Sequence, residues 1–228
     1  MARVSRQNDG RGMTQEGFDT LDVLIARYVA GTLPAPLSVL LASHLELCAS
    51  SRALVRGLEA SAGDELETLE PVPLSDRDAM LSAIVDRDRP AAAPFEKPTG
   101  DTILPRALHD FVGHTVETIP WKTKIPGFRE FEIGDVEGCH ATMYWIRGGR
   151  KIPSHTHEGF EVTLVLDGAF SDESGHYSRG DIALADPSID HRPLTDTGRP
   201  CICFAVTDAP LRLTGPMHQR IADIIGAG

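Results

Sequence analysis

The chain has 228 residues, 41% of them apolar and 24% charged, an ordinary composition for a folded protein that excludes a wholly disordered chain. Its 22 basic and 33 acidic residues give a formal charge of −11, the wrong sign for a protein that neutralises nucleic-acid phosphates. No apolar run reaches the roughly 20 residues of a membrane-spanning helix, and residues 1–17 lack the apolar core of a secretory signal. We therefore expect a cytoplasmic protein that binds neither nucleic acid directly nor a membrane.

The first part of the chain is predicted to be helical, after a tail at residues 1–17 that we expect to be disordered. Apolar residues recur at the helical period over residues 21–29 and 33–48, with Gly31 between them, and more weakly over residues 52–62. A fourth helix is predicted to start at a Ser75 cap. Its apolar face comprises Met80, Leu81, Ile84 and Val85. We expect the apolar faces to pack on each other as a small all-α bundle over residues 18–88.

The second part of the chain is predicted to be all β. A Pro-rich stretch at residues 89–102 indicates an extended linker. Beyond it, short runs of β-branched and aromatic residues alternate with Gly, Pro and Asp about every ten residues, which is typical of a β-sandwich or small barrel. The predicted strands include residues 141–146, 162–166, 181–185 and 201–206. We therefore expect a mixed, two-domain protein with a barrel over residues 103–215 and a tail at 216–228.

Four potential metal ligands lie within the predicted barrel. His155 and His157 are two residues apart, so in an extended chain both side chains project to the same face. Glu161 follows after a turn at Gly159, and His191 lies on a later segment that we expect to pair alongside. Three imidazoles and one carboxylate suit Zn, Fe, Mn, Ni or Cu.

This segment resembles the first motif of the cupin superfamily, which has a Gly, five residues, His-x-His, three or four residues, Glu, six residues and a Gly. The fixed positions are matched by Gly149, His155, His157, Glu161 and Gly168. The second motif is looser here and keeps Gly180, Pro187 and His191. The resemblance implies a cupin barrel, or double-stranded β-helix, with one divalent metal ion inside it.

The helical part contains a second, incomplete motif. His44, Cys48 and Ser51 resemble the zinc-binding anti-sigma domain, which has a His, three residues, a Cys, two residues and a Cys. Ser51 stands where the second Cys belongs, and Asp19 stands where an earlier His is expected. A serine hydroxyl is a poor zinc ligand at neutral pH. We therefore expect no zinc in this part, with His44 and Cys48 as buried members of the second helix's apolar face.

The four cysteines have no regular spacing, so we expect free thiols or metal ligands in a reducing compartment. Cys201 and Cys203 are two residues apart on a predicted strand, so both thiols face the same way. They are candidates for a redox role. The alternative is that they are small, buried apolar residues.

The order of helical unit, linker and cupin barrel resembles the ChrR-type anti-sigma factors over about residues 19–213. The resemblance implies that the helices sequester an extracytoplasmic-function sigma factor. It also implies that the barrel binds zinc through His155, His157, Glu161 and His191 and modulates release under singlet-oxygen or peroxide stress. Fe, Mn and Ni are the alternative metals, and a homodimer is also allowed.

Charge agrees with a protein partner. Residues 16–88 contain five basic and thirteen acidic residues, a net charge of −8. Such a surface attracts the basic, DNA-binding faces of a sigma factor. Two other hypotheses stay open: a metal-dependent cupin dioxygenase-type enzyme acting on a small organic molecule, and a helical unit that serves only for docking or dimerisation.

Overall fold

The structure of the chain is a computed structural model that describes residues 20–88 and 103–217. The expected tail at residues 1–17, the expected linker at 89–102 and nearly all of the expected C-terminal tail lie outside the described residues. The helices are α1 Leu21–Val29, α2 Ala35–Leu47, α3 Ala49–Glu67, α4 Arg77–Val85 and α5 Arg106–Val112. The strands are β1 Lys122–Ile125, β2 Phe128–Val136, β3 Cys139–Ile146, β4 His155–His157, β5 Glu161–Asp167, β6 Ala169–Ser171, β7 His176–Ser178, β8 Ile182–Ala185, β9 Leu194–Thr195, β10 Cys201–Thr207 and β11 Leu211–Leu213. A helical part thus precedes an antiparallel β barrel, which confirms the predicted fold class.

Helices α1 and α2 follow the predicted apolar periodicity. The Thr20 hydroxyl caps α1 by accepting a hydrogen bond from the Val23 amide at 3.4 Å. Gly31, at φ 65°, turns the chain between the two helices. Their buried apolar residues include Leu24, Ile25, Leu37, Leu40 and Leu41. These side chains anchor both helices.

Helix α3 is longer than the sequence predicted. It covers Ala49–Glu67 rather than residues 52–62, and only Ser51 and Val55 in it are buried. Cys48 lies at the junction of α2 and α3, where its backbone is extended, and not within α2. The prediction that Cys48 is a buried member of the α2 face is therefore wrong, because the junction leaves it half-buried.

Helix α4 also differs from the prediction. It begins at Arg77, with Asp76 rather than Ser75 as its N-cap, and none of its residues is buried. Its predicted apolar face of Met80, Leu81, Ile84 and Val85 is between 44% and 78% exposed. The expectation that this face packs on α1 and α2 is therefore wrong. No helix in the described ranges, α4 included, has both the length and the apolar character to cross a bilayer.

Helix α5 was not predicted and joins the helical part to the barrel. It packs against α2 and buries Leu108, and Gly113 ends it in the left-handed conformation. The Glu46 carboxylate of α2 accepts hydrogen bonds from the first-turn amides of Arg106 and Ala107 at 2.9 and 3.0 Å. Glu46 therefore satisfies amides that have no partner within the short helix.

The barrel is built from three antiparallel sheets. The large sheet has the order β1-β2-β3-β10-β5-β8, a second sheet pairs β11 with β4, and a third has the order β7-β6-β9. Side chains from the large sheet and from both smaller sheets line one internal cavity. The sheets therefore enclose the space in which the predicted metal ligands lie.

The helical part and the barrel share one apolar core. Helix α2 packs on strands β3, β5 and β10. Leu41 of α2, Leu164 of β5 and Phe204 of β10 are fully buried members of the same cluster. Full burial of one such side chain contributes about 1.5–3 kcal/mol. The two parts are thus in direct contact through α2.

Candidate metal centre

Three chain segments bring the predicted ligands together. His155 and His157 lie on β4, Glu161 is the first residue of β5, and His191 lies in the loop after β8. His191 and His155 exchange backbone hydrogen bonds at 3.0 and 3.1 Å, which joins that loop to β4. One ligand atom of each of the four side chains lies within 4.8 Å of the others. The described residues therefore include one compact group of three imidazoles and a carboxylate.

Local turns account for this convergence. Thr156 donates to the Pro187 carbonyl at 3.2 Å, on the opposite side of β4 from the two histidines. In the turn to β5, a Cβ on Gly159 would lie 2.0 Å from Oδ1 of Asp208. That same oxygen accepts from the Phe160 amide at 2.7 Å. Gly159 thus allows the close approach that aims Glu161 inward.

The distances between ligand atoms fit one bound cation. Nε2 of His191 lies 3.0 Å from Nε2 of His155 and 3.4 Å from Nε2 of His157. Nε2 of His157 lies 3.2 Å from Oε2 of Glu161. Two ligands about 2.1 Å from one ion are about 3.0–3.4 Å apart for ligand angles from a right angle to the tetrahedral value. These three of the six separations are those expected for ligands of a single ion, and all four atoms lie within 4.8 Å of one another.

The hydrogen bonds of the rings also favour a cation. Nδ1 of His155 donates to the Pro153 carbonyl, and Nδ1 of His191 donates to the Asp172 carboxylate, both at 2.9 Å. Because a carbonyl and a carboxylate only accept, each ring carries its proton on Nδ1. In two neutral rings the Nε2 lone pairs then face each other and repel. A bound metal ion or a proton on Nε2 of His191 relieves this repulsion; burial lowers the pKa of His191, but the Asp172 carboxylate and nearby acidic groups outweigh burial and raise it.

Burial and neighbouring charges set the protonation of the group. Burial lowers the pKa of His155, and the proximity of His191 lowers it further. Burial disfavours ionisation of Glu161, but its hydrogen bond to His157 and the nearby imidazoles outweigh this and lower the pKa of the carboxyl. A deprotonated imidazole and an ionised carboxylate are the forms that bind metal. The donor set serves several divalent first-row metals.

A cavity of about 130 Å³ borders the group. His155, Glu161, Asp172 and His191 are among its polar lining residues. Its wall is mainly apolar and includes Phe128, Ile146, Ile152, Phe170, Leu184, Leu211 and Leu213. The centre is therefore accessible to a small molecule with an apolar body.

Cys201 and Cys203 lie side by side on β10. Their sulfur atoms are 3.5 Å apart, and both residues are buried free thiols. Cys203 lines the same cavity as three of the predicted metal ligands, His155, Glu161 and His191. The hydrogen bond with Cys201 and burial raise the pKa of Cys203 well above its ordinary value. Cys203 is thus held as a neutral thiol.

The second motif forms a hydrogen-bonded cluster between α2, α3 and the barrel. His44 is almost fully buried, as predicted, but it makes polar contacts. Its Nδ1 donates to the Gly180 carbonyl of the barrel at 2.7 Å, and its Nε2 lies 2.8 Å from the Ser51 hydroxyl. Ser51 Oγ lies 3.3 Å from Cys48 Sγ. Of the residues named in this motif, Asp19 lies outside the described ranges.

This cluster does not fit a tightly bound zinc ion. A structural zinc needs four strong ligands, commonly cysteine and histidine. The described part of the motif offers one imidazole, one thiol and a hydroxyl in the place of a second thiol. The hydroxyl instead contacts the imidazole nitrogen that would face the ion. Hydrogen bonds therefore occupy the position of the metal.

We expect Cys48 to be the most reactive thiol of the chain near neutral pH. Hydrogen bonds from Ser50 and Ser51 lower its pKa to about 7, whereas burial raises the pKa of Cys139 to about 11. Thiolates are the reactive form. Alkylation by iodoacetamide, followed by mass spectrometry across a pH series, should show a midpoint near that lower value for Cys48.

Ser50→Ala should move this midpoint to higher pH, because the Ser50 hydroxyl makes the strongest of these contacts. Ser61→Ala, at an exposed position on the same helix, is the matched control and should leave it unchanged. A midpoint near the ordinary thiol value of about 8.5 in the unaltered protein would contradict the prediction.

Sequence reasoning missed one residue that contacts the group. Asp172 lies nineteen residues before His191 in the chain, yet its carboxylate accepts the Nδ1 proton of that ring. Its side chain is only 3% exposed. No spacing rule connects the two positions, because the contact depends on how the β6–β7 turn packs beside the loop after β8.

Comparison with known proteins identifies the family. A family model described as the ChrR Cupin-like domain matches residues 109–210. The chain is 39% identical over 200 residues to the anti-sigma-E factor ChrR of Cereibacter sphaeroides, a match that covers 88% of this chain and 93% of that protein. The chain belongs to the ChrR family. ChrR is an anti-sigma factor, so the relationship favours a regulator over the dioxygenase-type enzyme.

A solved structure extends the ChrR relationship to the whole architecture. The crystal structure of Rhodobacter sphaeroides SigE in complex with the anti-sigma ChrR matches with a TM-score of 0.67 and 38% identity. The match covers 83% of this chain and 97% of that one. The ChrR likeness therefore includes the helical part as well as the cupin barrel.

Proposed function

We propose that this chain is an anti-sigma factor that binds an extracytoplasmic-function sigma factor through its N-terminal helices. A metal ion in the cupin barrel would set how readily the sigma factor is released under oxidative stress. The observation that carries the proposal is the 39% identity to the anti-sigma-E factor ChrR over nearly the full length of both chains. Because its partner is a subunit of RNA polymerase, such a protein acts in the cytoplasm.

The exposed face of α4 supports helix-mediated binding. Its four apolar residues continue an exposed apolar segment that precedes the helix. The whole exposed set is Leu66, Leu69, Val72, Leu74, Met80, Leu81, Ile84 and Val85. Exposed apolar surface of this extent marks interaction sites. We assign this surface, the α4 surface, to the sigma factor.

Charge supports the same partner. Residues 16–88 carry a net charge of −8, so the α4 surface belongs to an acidic part of the chain. Sigma factors bind promoter DNA through basic faces, which an acidic protein attracts and covers. The helices would then compete with DNA or polymerase for the same faces.

The contact between α2 and the barrel offers a route for release. His44 of α2 is hydrogen-bonded to Gly180, and β8, two residues further on, lines the cavity beside the metal ligands. A change in the barrel that moves this turn would alter the contact with α2. We propose that residues 18–88 bind the sigma factor and that residues 103–215 respond to stress.

The response would begin at the metal or at the cavity thiols. Zinc is the first candidate ion, bound by His155, His157, Glu161 and His191, and Fe, Mn and Ni are the alternatives. Singlet oxygen or an organic peroxide entering the cavity would reach this centre and Cys203. Cys201 is adjacent, so oxidation of one thiol places the second within reach.

Co-expression of the full chain with the extracytoplasmic-function sigma factors of its own genome tests the proposal. We expect one of them to co-purify as an equimolar complex, with its mass measured by light scattering. Cumene hydroperoxide should then dissociate the complex. The same buffer without cumene hydroperoxide is the control. If no such sigma factor binds the full chain, the proposed function is wrong.

A further inference from the structure

Asp172 is the one carboxylate besides Glu161 that lines the cavity in the described part of the chain. It follows β6 directly, and its side chain is nearly inaccessible to solvent. Its Oδ2 accepts the Nδ1 proton of His191 at 2.9 Å. Nε2 of the same ring lies among the other predicted ligand atoms. Asp172 and the proposed ion thus lie on opposite sides of one imidazole.

A tight turn holds this carboxylate in place. Its second oxygen, Oδ1, accepts from the amides of Ser174 and Gly175 at 2.8 and 3.1 Å. The Asp172 amide in turn donates to the Gly175 carbonyl at 2.9 Å. Next to it, Glu173 accepts from the amide of Arg192, the residue after His191, at 3.1 Å. The turn therefore grips both the ring and the backbone beside it.

The three imidazoles differ in what they contact on the far side from the centre. His155 donates to a neutral carbonyl, and Nδ1 of His157 is buried without a hydrogen-bond partner among the described residues. His191 alone donates to a carboxylate. An anionic acceptor fixes the tautomer of a ligand histidine and makes its free nitrogen more basic. His191 is therefore the strongest imidazole donor of the three.

We propose that Asp172 is a positioning residue of the metal centre, which orients His191 and adds a second negative charge to balance a divalent ion. The inference rests on the proposed metal binding by the barrel. Asp172 would thus contribute to the affinity for the metal although it does not bind the metal itself. Removal of such an outer partner lowers metal affinity by about 10- to 100-fold.

Asp172→Asn is the sharpest test, because it keeps the shape of the side chain and removes the charge. Its single amide oxygen can accept from the turn amides or from the His191 ring, but not from both as the carboxylate does. We expect the zinc affinity of the full chain, measured by competition with a chromophoric chelator, to fall by about 10- to 100-fold. The melting temperature of the metal-free protein should fall by only a few degrees, the cost of one buried hydrogen bond. The Nδ1 proton signal of His191 in the zinc-bound protein should also shift, since its acceptor is no longer charged.

Asp196→Asn is the matched control. Asp196 also pairs with a histidine, His176, at 3.0 Å, but both side chains are about half exposed and neither residue lines the cavity. Its zinc affinity should equal that of the unaltered protein.

Three results would overturn the inference. Unchanged zinc affinity in Asp172→Asn would show that the charge has no part in binding, while the proposed function would stand. A much larger fall in the melting temperature of the metal-free variant would identify a purely structural role for Asp172. Absence of zinc binding by the unaltered chain would contradict the proposed metal centre itself. The zinc affinity of the unaltered chain, measured first, identifies this outcome.

Discussion

Binding of the sigma factor is expected to fall by about 100- to 1,000-fold when Leu81 and Ile84 are both replaced by aspartate. By helical spacing these residues lie between Met80 and Val85 on the apolar face of α4, and they are 44% and 64% exposed. Loss of a central apolar contact in an interface typically costs about 2 kcal/mol or more, and two such losses give about 4 kcal/mol. Isothermal titration calorimetry of the full chain with its sigma factor measures the change.

The helix itself offers a control for this variant. By helical spacing Ser82 lies off the apolar face of α4, so Ser82→Asp adds one negative charge to the same helix outside that face. Since none of the residues of α4 is buried, neither variant should lower the melting temperature of the free chain. Tight binding by the Leu81→Asp, Ile84→Asp double variant would place the sigma-factor interface elsewhere.

Metal binding is expected to be lost in His157→Ala. His157 is the ligand that contacts both Glu161 and His191 through Nε2, so its removal opens the centre of the group. Loss of a direct ligand should exceed the roughly 100-fold upper cost of losing an outer partner. After dialysis against a chelator, metal analysis should give about one ion per unaltered chain and less than about one-tenth in the variant.

The same ion should stabilise the barrel. A ligand present at about 1,000 times its dissociation constant adds about 4 kcal/mol to the free energy of unfolding. Added zinc should therefore raise the melting temperature of the unaltered chain and leave His157→Ala unchanged. His176→Ala removes an exposed imidazole and should behave like the unaltered chain. An equimolar ion retained by His157→Ala would refute the assigned ligand set.

The sequence predicted the cupin fold and the convergence of four side chains because both depend on short-range patterns. Two histidines at a strand period, a carboxylate after a glycine turn and glycines at fixed distances constrain the chain within about twenty residues. The apolar period of α1 and α2 was similarly informative, because their apolar faces are buried. That the four side chains His155, His157, Glu161 and His191 bind a metal ion stays a prediction.

Other features were beyond such patterns. Periodicity showed that α4 has an apolar face but not whether anything in the chain covers it. Helix α5 is only seven residues long, and its first-turn amides donate hydrogen bonds to Glu46, sixty residues earlier in the chain. Asp172 and His191 meet only because two turns pack together. Each of these depends on tertiary contacts between distant segments, which a local pattern does not encode.

The shared core of α2 and the barrel bears on how the molecule comes apart. Cleavage within the connection that precedes α5 would still leave the two fragments joined by leucine packing and by the bonds at Glu46 and Gly180. Their separation would expose an apolar face on each fragment to water, which the hydrophobic effect opposes. The helical part and the barrel are therefore expected to unfold as one cooperative unit, so that destabilising one of them also destabilises the other.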